Sequence, residues 1–551
     1  MNSNMKKRLI IPIYIILFSL LVGCINQSSS TKAPKFSAAE LQQAEQIRNN
    51  LFTPGSVTIR GTIKGYNSKL GVKTYQLYYC NYFDDIHNSK TLDIDSLGHF
   101  EVSFDVPFTI GGCIVDSRDK WHNFIAQAGD TLLAEFSLLG NCTFSLSDGR
   151  PYLLEHIDQV SRSGLKFDNS MFRYDDSHNI TQVVEYARQC KEQCREILNN
   201  NARKYHYTAF EYQYESLMND MELITCLLSY RNQVRDMADQ HYLRFGASDM
   251  DRYHQLDSIS KAYLTDTTFY SLMREFPYND TLMLAMPYKW ALFNRYKYDP
   301  VYYRDSVSRV WNNDRVIYAN TSCDVDIINS AYHLANDCRL FKTDEPSLMG
   351  KICFIQWIGD IIEWYASILK DEPSTTADEV IARYFTSARS QIKDKRLESM
   401  ADAVYEQFNL SRVPYKELPD CTGKRVLQTI LDKYPGKYVY LDFWSTTCGP
   451  CISGIKNTFN NRHYIMTRKY DNFVMVFITD DSQSRYEPFR KEWLEGAESY
   501  RISTDDYNAL SGLFNFTAIP HHELITPDGR ALTRVPEMLE VDPNNPDPNQ
   551  K

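Results

Sequence analysis

Hydrophobic and polar positions change period twice along this chain, and the changes divide it into three regions. Over residues 51–146 apolar residues alternate with polar ones, with Val57, Ile59 and Ile63 in one run and Phe100, Val102, Phe104 and Val106 in another. A period of two turns one face of a strand to a core and the other to water. Asp95-Ser96-Leu97-Gly98 and Gly129-Asp130 supply turns between such runs, so residues 51–148 are expected to form a half-buried antiparallel β-sandwich. Over residues 150–409 the period becomes helical and glycine is scarce, which predicts an all-α domain at 149–410. Thr376-Ala377-Asp378-Glu379 fits a capping box at a helix start, with Val380, Ile381, Tyr384, Phe385, Ala388 and Ile392 on the buried face behind it. No repeat and no local chemistry stands out there, and the region reads as a spacer or a partner-binding surface.

The third region, 411–540, opens differently. Residues 438–444 are a nearly continuous apolar and aromatic run, as in a central strand covered on both faces. The run leads into Ser445-Thr446-Thr447-Cys448-Gly449-Pro450-Cys451, and Ile452, Ile455 and Phe459 follow at helical spacing. A C-x-x-C pair therefore sits where a strand passes through a short loop into a helix.

Composition narrows the choices. A chain of 551 residues exceeds what one hydrophobic core organises, and 43% hydrophobic with 24% charged residues excludes a wholly disordered or polytopic membrane chain. The formal net charge of -10 argues against a sequence-independent nucleic-acid binder, which needs clustered cations to displace phosphate counterions. Lys6, Lys7 and Arg8 precede an apolar run at 9–22, shorter than the roughly 20 residues that a helix needs to span a bilayer, so it reads as a signal h-region. The run ends in Leu21-Val22-Gly23-Cys24, which resembles the lipobox of bacterial lipoproteins. That resemblance implies a signal peptide at 1–23 and a mature chain of charge -13 starting at a lipidated Cys24. The largely polar segment from Ile25 to Lys32 then begins a lipidated tether over 24–50, and lipid is the only membrane attachment expected.

Thirteen cysteines need placing. Cys24 is assigned to lipid, Cys448 and Cys451 form the pair, and ten more are scattered from Cys80 to Cys421 without the look of a disulfide scaffold. Cys190 and Cys194 share a helical stripe with Val183, Ala187 and Ile197, which favours buried positions over half a metal site. No zinc pattern is present, and no metal is expected.

The chemistry of the pair follows from its place. Unsatisfied amides and the macrodipole at a helix N-terminus favour an anion, so Cys448 should ionise readily and attack disulfides. Cys451, with two residues between, can then attack the mixed disulfide. Gly449 and Pro450 keep the turn compact and help start the helix. Asp442, six residues before Cys448, is an ionisable group in a strand that otherwise buries apolar side chains, a costly placement without a purpose. Downstream, Asn515-Phe516-Thr517-Ala518-Ile519-Pro520 precedes a strand-like His522-Glu523-Leu524-Ile525-Thr526 and the turn Pro527-Asp528-Gly529-Arg530.

Together with Leu418-Pro419-Asp420-Cys421-Thr422-Gly423-Lys424 and a strand at 473–478, these motifs make residues 411–540 resemble the TlpA/ResA/DsbE-like branch of the thioredoxin superfamily. The order of motifs in 51–148 is similar to the β-sandwich that precedes such modules in lipoproteins of Bacteroidetes-type bacteria. The resemblance implies a multidomain α+β chain: an antiparallel β-sandwich, a central all-α region, an α/β/α thioredoxin fold and a disordered tail at 541–551. It implies Cys448 as attacking thiolate, Cys451 as resolving thiol, Asp442 as the buried acid that moves the Cys451 proton, and Pro520 as a cis-proline shaping substrate docking. Trp444, Gly449, Pro450 and Ile519 would surround them. Two positions depart from the family pattern. Thr447 stands where many members have Trp, and His521 and His522 follow Pro520 where thioredoxins commonly have Thr; one histidine tunes the thiolate, or both are strand-buried or solvated.

The activity implied is thiol–disulfide exchange with no cofactor beyond the dithiol. Gly-Pro is the dipeptide typical of thioredoxins, so the expectation is a reductase of protein disulfides fed by an inner-membrane electron donor, lipid-anchored in a Gram-negative envelope and facing the periplasm. A thioredoxin-fold binding module within an envelope complex is the alternative. Retention of both cysteines favours redox work.

Overall fold

The computed structural model describes residues 32–547 apart from 68, 70–71, 81–86, 119, 158–168, 175–178, 246–248, 265–266, 286–314, 370–373, 412–413, 481–484, 517 and 534. The signal segment and Cys24 lie outside the described residues.

Residues 55–146 form eight strands: β1 (Gly55–Lys64), β2 (Thr74–Cys80), β3 (His87–Asp93), β4 (His99–Val106), β5 (Ile110–Val115), β6 (Trp121–Ala126), β7 (Thr131–Ser137) and β8 (Cys142–Leu146). They make two four-stranded sheets, ordered β4-β1-β7-β8 and β3-β2-β5-β6. Val57, Ile59 and Ile63 are buried as their alternation requires, and rings interlock between the sheets, Tyr75 lying 4.9 Å from Phe136 and Tyr79 4.3 Å from Phe104. The expectation of an antiparallel sandwich needs one correction. Ile59 lies opposite Val102 in an antiparallel pairing with β4 but opposite Leu132 in a parallel pairing with β7. The chain between β1 and β7 adds β4 to this sheet and builds the second one before returning, and a connection of that length permits a strand to come back in the same direction. Alternation reports which face is buried, not the direction of a neighbour.

A helix at Ala38–Asn49 precedes the sandwich, inside the segment expected to be a tether. Ser37 Oγ accepts from Glu40 N (3.2 Å), and the Glu40 carboxylate accepts in return from Ser37 N (2.7 Å). Phe36 packs on Tyr212 and Arg48 pairs with Asp280, so residues 38–49 are docked. Ser37-Ala38-Ala39-Glu40 is a capping-box pattern in its own right, obscured by the polarity of its surroundings.

The central region contains helices at Ile180–Lys204, Ala209–Phe245, Met250–Leu264, Thr267–Met273, Arg315–Phe341, Leu348–Ile368, Ser374–Arg389 and Lys395–Ser411. Leu348–Ile368 is apolar around its circumference, with Ile352, Phe354, Ile355, Ile358 and Ile361 buried, and it packs against the three helices nearest it in sequence. Thr376 lies inside Ser374–Arg389 rather than capping it. Ser374, Thr375 and Thr376 all fall within the helix, which starts earlier than the capping-box pattern places it. Cys190 and Cys194 are buried on their helix as expected. One apolar cluster joins Leu132 in the sandwich to Phe172, Ile224 and Phe354 among the helices, so the interior is continuous across 148–149. No described helix is long and apolar enough to cross a membrane.

The last region builds a six-stranded sheet from β9 (Tyr415–Lys416), β10 (Tyr438–Phe443), β11 (Phe473–Asp480), β12 (Glu498–Ile502), β13 (His521–Ile525) and β14 (Ala531–Leu532), ordered β12-β11-β10-β13-β14-β9. Strands β10, β11 and β12 run parallel, and β13 returns antiparallel beside β10. Tyr440, Trp444, Cys451 and Ile455 share the core on one face, and Leu441, Phe443, Leu510 and Phe514 share that on the other. The tail expected to be disordered is docked as far as it is described. Val541 and Asp547 are buried, Tyr415 donates to Asp547 Oδ2 (2.6 Å) and Arg462 donates to the Val541 carbonyl (2.7 Å). Its Pro- and Asn-rich composition reads as disorder, but side chains distant in sequence hold it.

The sandwich also touches this sheet's helical layer. The helix Thr504–Phe514 lies across β2 and β3, where Thr91 Oγ1 donates to the Asn508 carbonyl (3.2 Å) and Ser89 N to Asn515 Oδ1 (2.5 Å). A Cβ on Gly512 would overlap Thr91 Oγ1, so only glycine permits this approach. Edge strand β3 is thereby covered rather than left open.

Candidate active site

Strand β10 is buried along its whole length because it has a neighbour on each side and a core on each face. The chain leaves it at Trp444, which is fully buried with its ring 4.9 Å from Phe489. It then turns through Ser445, whose carbonyl accepts from Cys448 N (3.1 Å) and whose hydroxyl accepts from Thr447 N (3.1 Å). The helix Gly449–Thr467 begins there, with Cys448 as N-cap and Pro450 in the first turn.

A disulfide joins Cys448 to Cys451. The two sulfurs are not equivalent: Cys451 is buried, Cys448 is half-buried, and Thr447, Gly449 and Pro450 around it are exposed. Cys451 N donates to Cys448 Sγ (3.2 Å), a contact that favours a thiolate at Cys448 once the bond is reduced. Cys448 Sγ also lies 3.6 Å from the Ile519 carbonyl oxygen. The Ile519–Pro520 peptide bond is cis, and Pro520 is exposed. The helix Thr504–Phe514 leads to this loop through Asn515, whose left-handed conformation (φ 56°) ends the helix.

Asp442 is 1% exposed. Alternation along β10 sets it on the face of Tyr440 and Trp444, which is the face against which Cys451 packs. Burial pushes its carboxyl up from 3.8 to about 8, because nothing polar replaces the water that would stabilise the charge. Directly opposite stands His522, with Nε2 3.6 Å from Asp442 Oδ1. Its neighbour His521 points to the other face, stacking on Phe516 at 4.2 Å and meeting Glu523 Oε1 at 3.1 Å. Lys416 Nζ donates to that same oxygen (3.0 Å). The two histidines, indistinguishable in sequence, thus serve different faces.

Asp442, Trp444, Cys448, Gly449, Pro450, Cys451, Ile519 and Pro520 all come together at one end of β10 and the entrance to β13, while Cys24 lies outside the described residues. Sequence reasoning missed the buried Glu523–Lys416 pair and the assignment of His522 to Asp442, both of which need the register of β13. No family model and no curated protein matches the chain. Among solved structures, the thioredoxin domain of a thiol-disulfide oxidoreductase from Bacteroides vulgatus is 21% identical, with a TM-score of 0.16, covering 18% of this chain and 71% of that one. The solution structure of a thiol:disulfide interchange protein from Bacteroides sp. is 19% identical, with a TM-score of 0.16, covering 19% of this chain and 70% of that one.

Proposed function

We propose that this chain is a thiol–disulfide oxidoreductase with a thioredoxin-like module, acting as a reductase of protein disulfides in the envelope of a Gram-negative bacterium. The observation that carries the reading is the asymmetry of the pair: Cys448 is reachable at a helix N-terminus, and Cys451 is buried on the face that bears Asp442. In the reduced protein the Cys448 thiolate attacks a substrate disulfide, forming a mixed disulfide and expelling one substrate thiolate, which takes a proton from water. Asp442, whose raised carboxyl must first release its proton, then takes that of Cys451 as Cys451 attacks Cys448 Sγ. The mixed disulfide breaks, the second substrate thiolate leaves and is protonated, and two electrons have passed from the dithiol to the substrate. No cofactor enters, and an inner-membrane dithiol donor restores the reduced pair. Cis-Pro520 and exposed Thr447 form the surface on which substrate docks.

Cys451→Ser tests this directly. Cys448 can still attack, the release step is gone, and a mixed disulfide should accumulate on a non-reducing gel. A variant that traps nothing in cells, together with a wild type that cannot reduce a model protein disulfide when given dithiol, would favour the binding-module alternative. Lipid on Cys24 would hold the chain on the periplasmic side of a membrane, and Cys24→Ala should move it from envelope membranes to the soluble fraction. An unchanged distribution would refute the anchor.

A further inference from the structure

We propose that His522 is the proton partner of Asp442: a positioning residue that donates a hydrogen bond to the carboxylate when Asp442 is ionised and accepts one from the carboxyl when it is protonated. The inference rests on the redox reading above and adds a residue to it. Pairing of β10 with β13 sets the two side chains opposite each other on one face. The His522 ring lies 5.5 Å from Tyr440, and its Nε2 is 3.6 Å from Asp442 Oδ1, one small rotation from a hydrogen bond. Both atoms are buried, and neither has a hydrogen-bond partner. Two unsatisfied polar atoms aimed at each other in an apolar core are an expensive arrangement unless they pair.

An acid that takes up and releases a proton in every turnover is buried in two charge states, and both need satisfying. Imidazole serves both from one position, because exchanging tautomers converts Nε2 from acceptor to donor. Among the described residues no competing cation stands beside Asp442. Tyr440 comes from the same strand, Phe477 faces Asp442 from β11, the helix Gly449–Thr467 brings Cys451, and Tyr507 interacts from the helix Thr504–Phe514. Lys416, His521 and Glu523 meet on the opposite face. Burial, helped by the charge of His521, pushes His522 down to about 4, so at neutral pH its ring is uncharged and able to accept. After Cys451 has protonated Asp442, the carboxyl hands its proton to Nε2 while Nδ1–H gives one to water. The proton count balances, no imidazolium accumulates, and the ring, 17% exposed, reaches solvent where Asp442 cannot.

The test compares full-length wild type with His522→Leu, His522→Gln and the control His521→Leu. One readout is the pH dependence of mixed-disulfide release in single-turnover reduction of a model protein disulfide. The other is the pH midpoint of the Asp442 carboxyl infrared band, identified by its loss in Asp442→Asn, which requires no activity. His522→Leu should raise both midpoints by about one pH unit, the size of one lost hydrogen bond to a charged acceptor. His522→Gln, which can donate and accept, should restore most of the shift, and His521→Leu should leave both midpoints in place. A shifted infrared midpoint in a protein that reduces nothing would uphold the pair and sink the enzyme reading. An active protein whose two midpoints are unmoved in His522→Leu and His522→Gln overturns the proposal. Amide protection of β10 reports folding, and should the Leu variant not fold, His522→Ala takes its place: midpoints raised by about one pH unit uphold the pair, and unmoved midpoints overturn it.

Discussion

Replacing Asp442 with Asn removes a buried carboxylate while keeping its shape, and the effect on stability must grow with pH. Burial holds the folded carboxyl at about 8, against 3.8 in an exposed chain. Between those values the folded state keeps a proton that the unfolded state has released, so the wild type is most favoured below pH 3.8 and loses stability as pH rises to about 8. Four units at about 1.36 kcal/mol each put that loss near 5 kcal/mol. A donor from His522 to the carboxylate, about 1.5–3 kcal/mol, offsets part of it and leaves about 2–4 kcal/mol. Asn cannot ionise and escapes the loss. Relative to its value at pH 4, the stability difference between Asp442→Asn and wild type should therefore shift by about 3 kcal/mol in favour of the variant by pH 8.5. The chain has several structural units, so a global transition would mix their unfolding. The assay equilibrates both proteins in urea at each pH, labels them in a short deuterium pulse at one fixed pH, and reads peptides covering β10 by mass spectrometry. A difference that stays constant from pH 4 to 8.5, or one that moves in favour of the wild type, would show that Asp442 is not held neutral by burial.

Two further predictions concern packing and acid sensitivity. In Gly423→Ala the new Cβ would overlap the Ala509 carbonyl oxygen and lie 2.7 Å from Leu513 Cβ; backbone cannot yield as a flexible side chain can, so the module should lose about 1–3 kcal/mol, read as a lower urea midpoint for peptides of the helices Thr422–Leu431 and Thr504–Phe514, and an unchanged midpoint would refute the close crossing. His333 is fully buried, and desolvation pushes its imidazole down to about 4 despite the opposing contact with the Gly350 carbonyl. Stability tied to it is present above pH 6.5 and lost as pH falls toward 4, so His333→Phe should be weaker than wild type by about 1 kcal/mol at pH 7 and should overtake it by pH 4.5 in the same urea and deuterium-pulse assay read on peptides of the helices Arg315–Phe341 and Leu348–Ile368; parallel pH profiles would refute this.

Much of the fold is legible in local pattern. Alternation at Val57, Ile59 and Ile63 identified buried strand faces, and the stripe Val183-Ala187-Cys190-Cys194 identified a buried helix face, because burial of one side repeats with the geometry of the element itself. The capping box at Ser37 was equally local and equally readable. Its neighbours drew attention to disorder instead. Thr376 shows the limit of such signals, since its helix starts earlier than the capping-box pattern places it.

That a C-x-x-C pair follows a buried strand at a helix entrance, and that Asp442 lies within that strand, can be read from local pattern alone. Both facts depend on residues a few positions apart, and periodicity and helix-end chemistry act over that range. Long-range packing sets β7 parallel to β1, covers β3 with the helix Thr504–Phe514, and holds Asp547 against Tyr415. It also decided which of two adjacent histidines meets Asp442. A one-residue shift in the pairing of β13 with β10 would exchange His521 and His522 between the two faces. That register is set by packing between segments far apart in the chain, which no local pattern encodes.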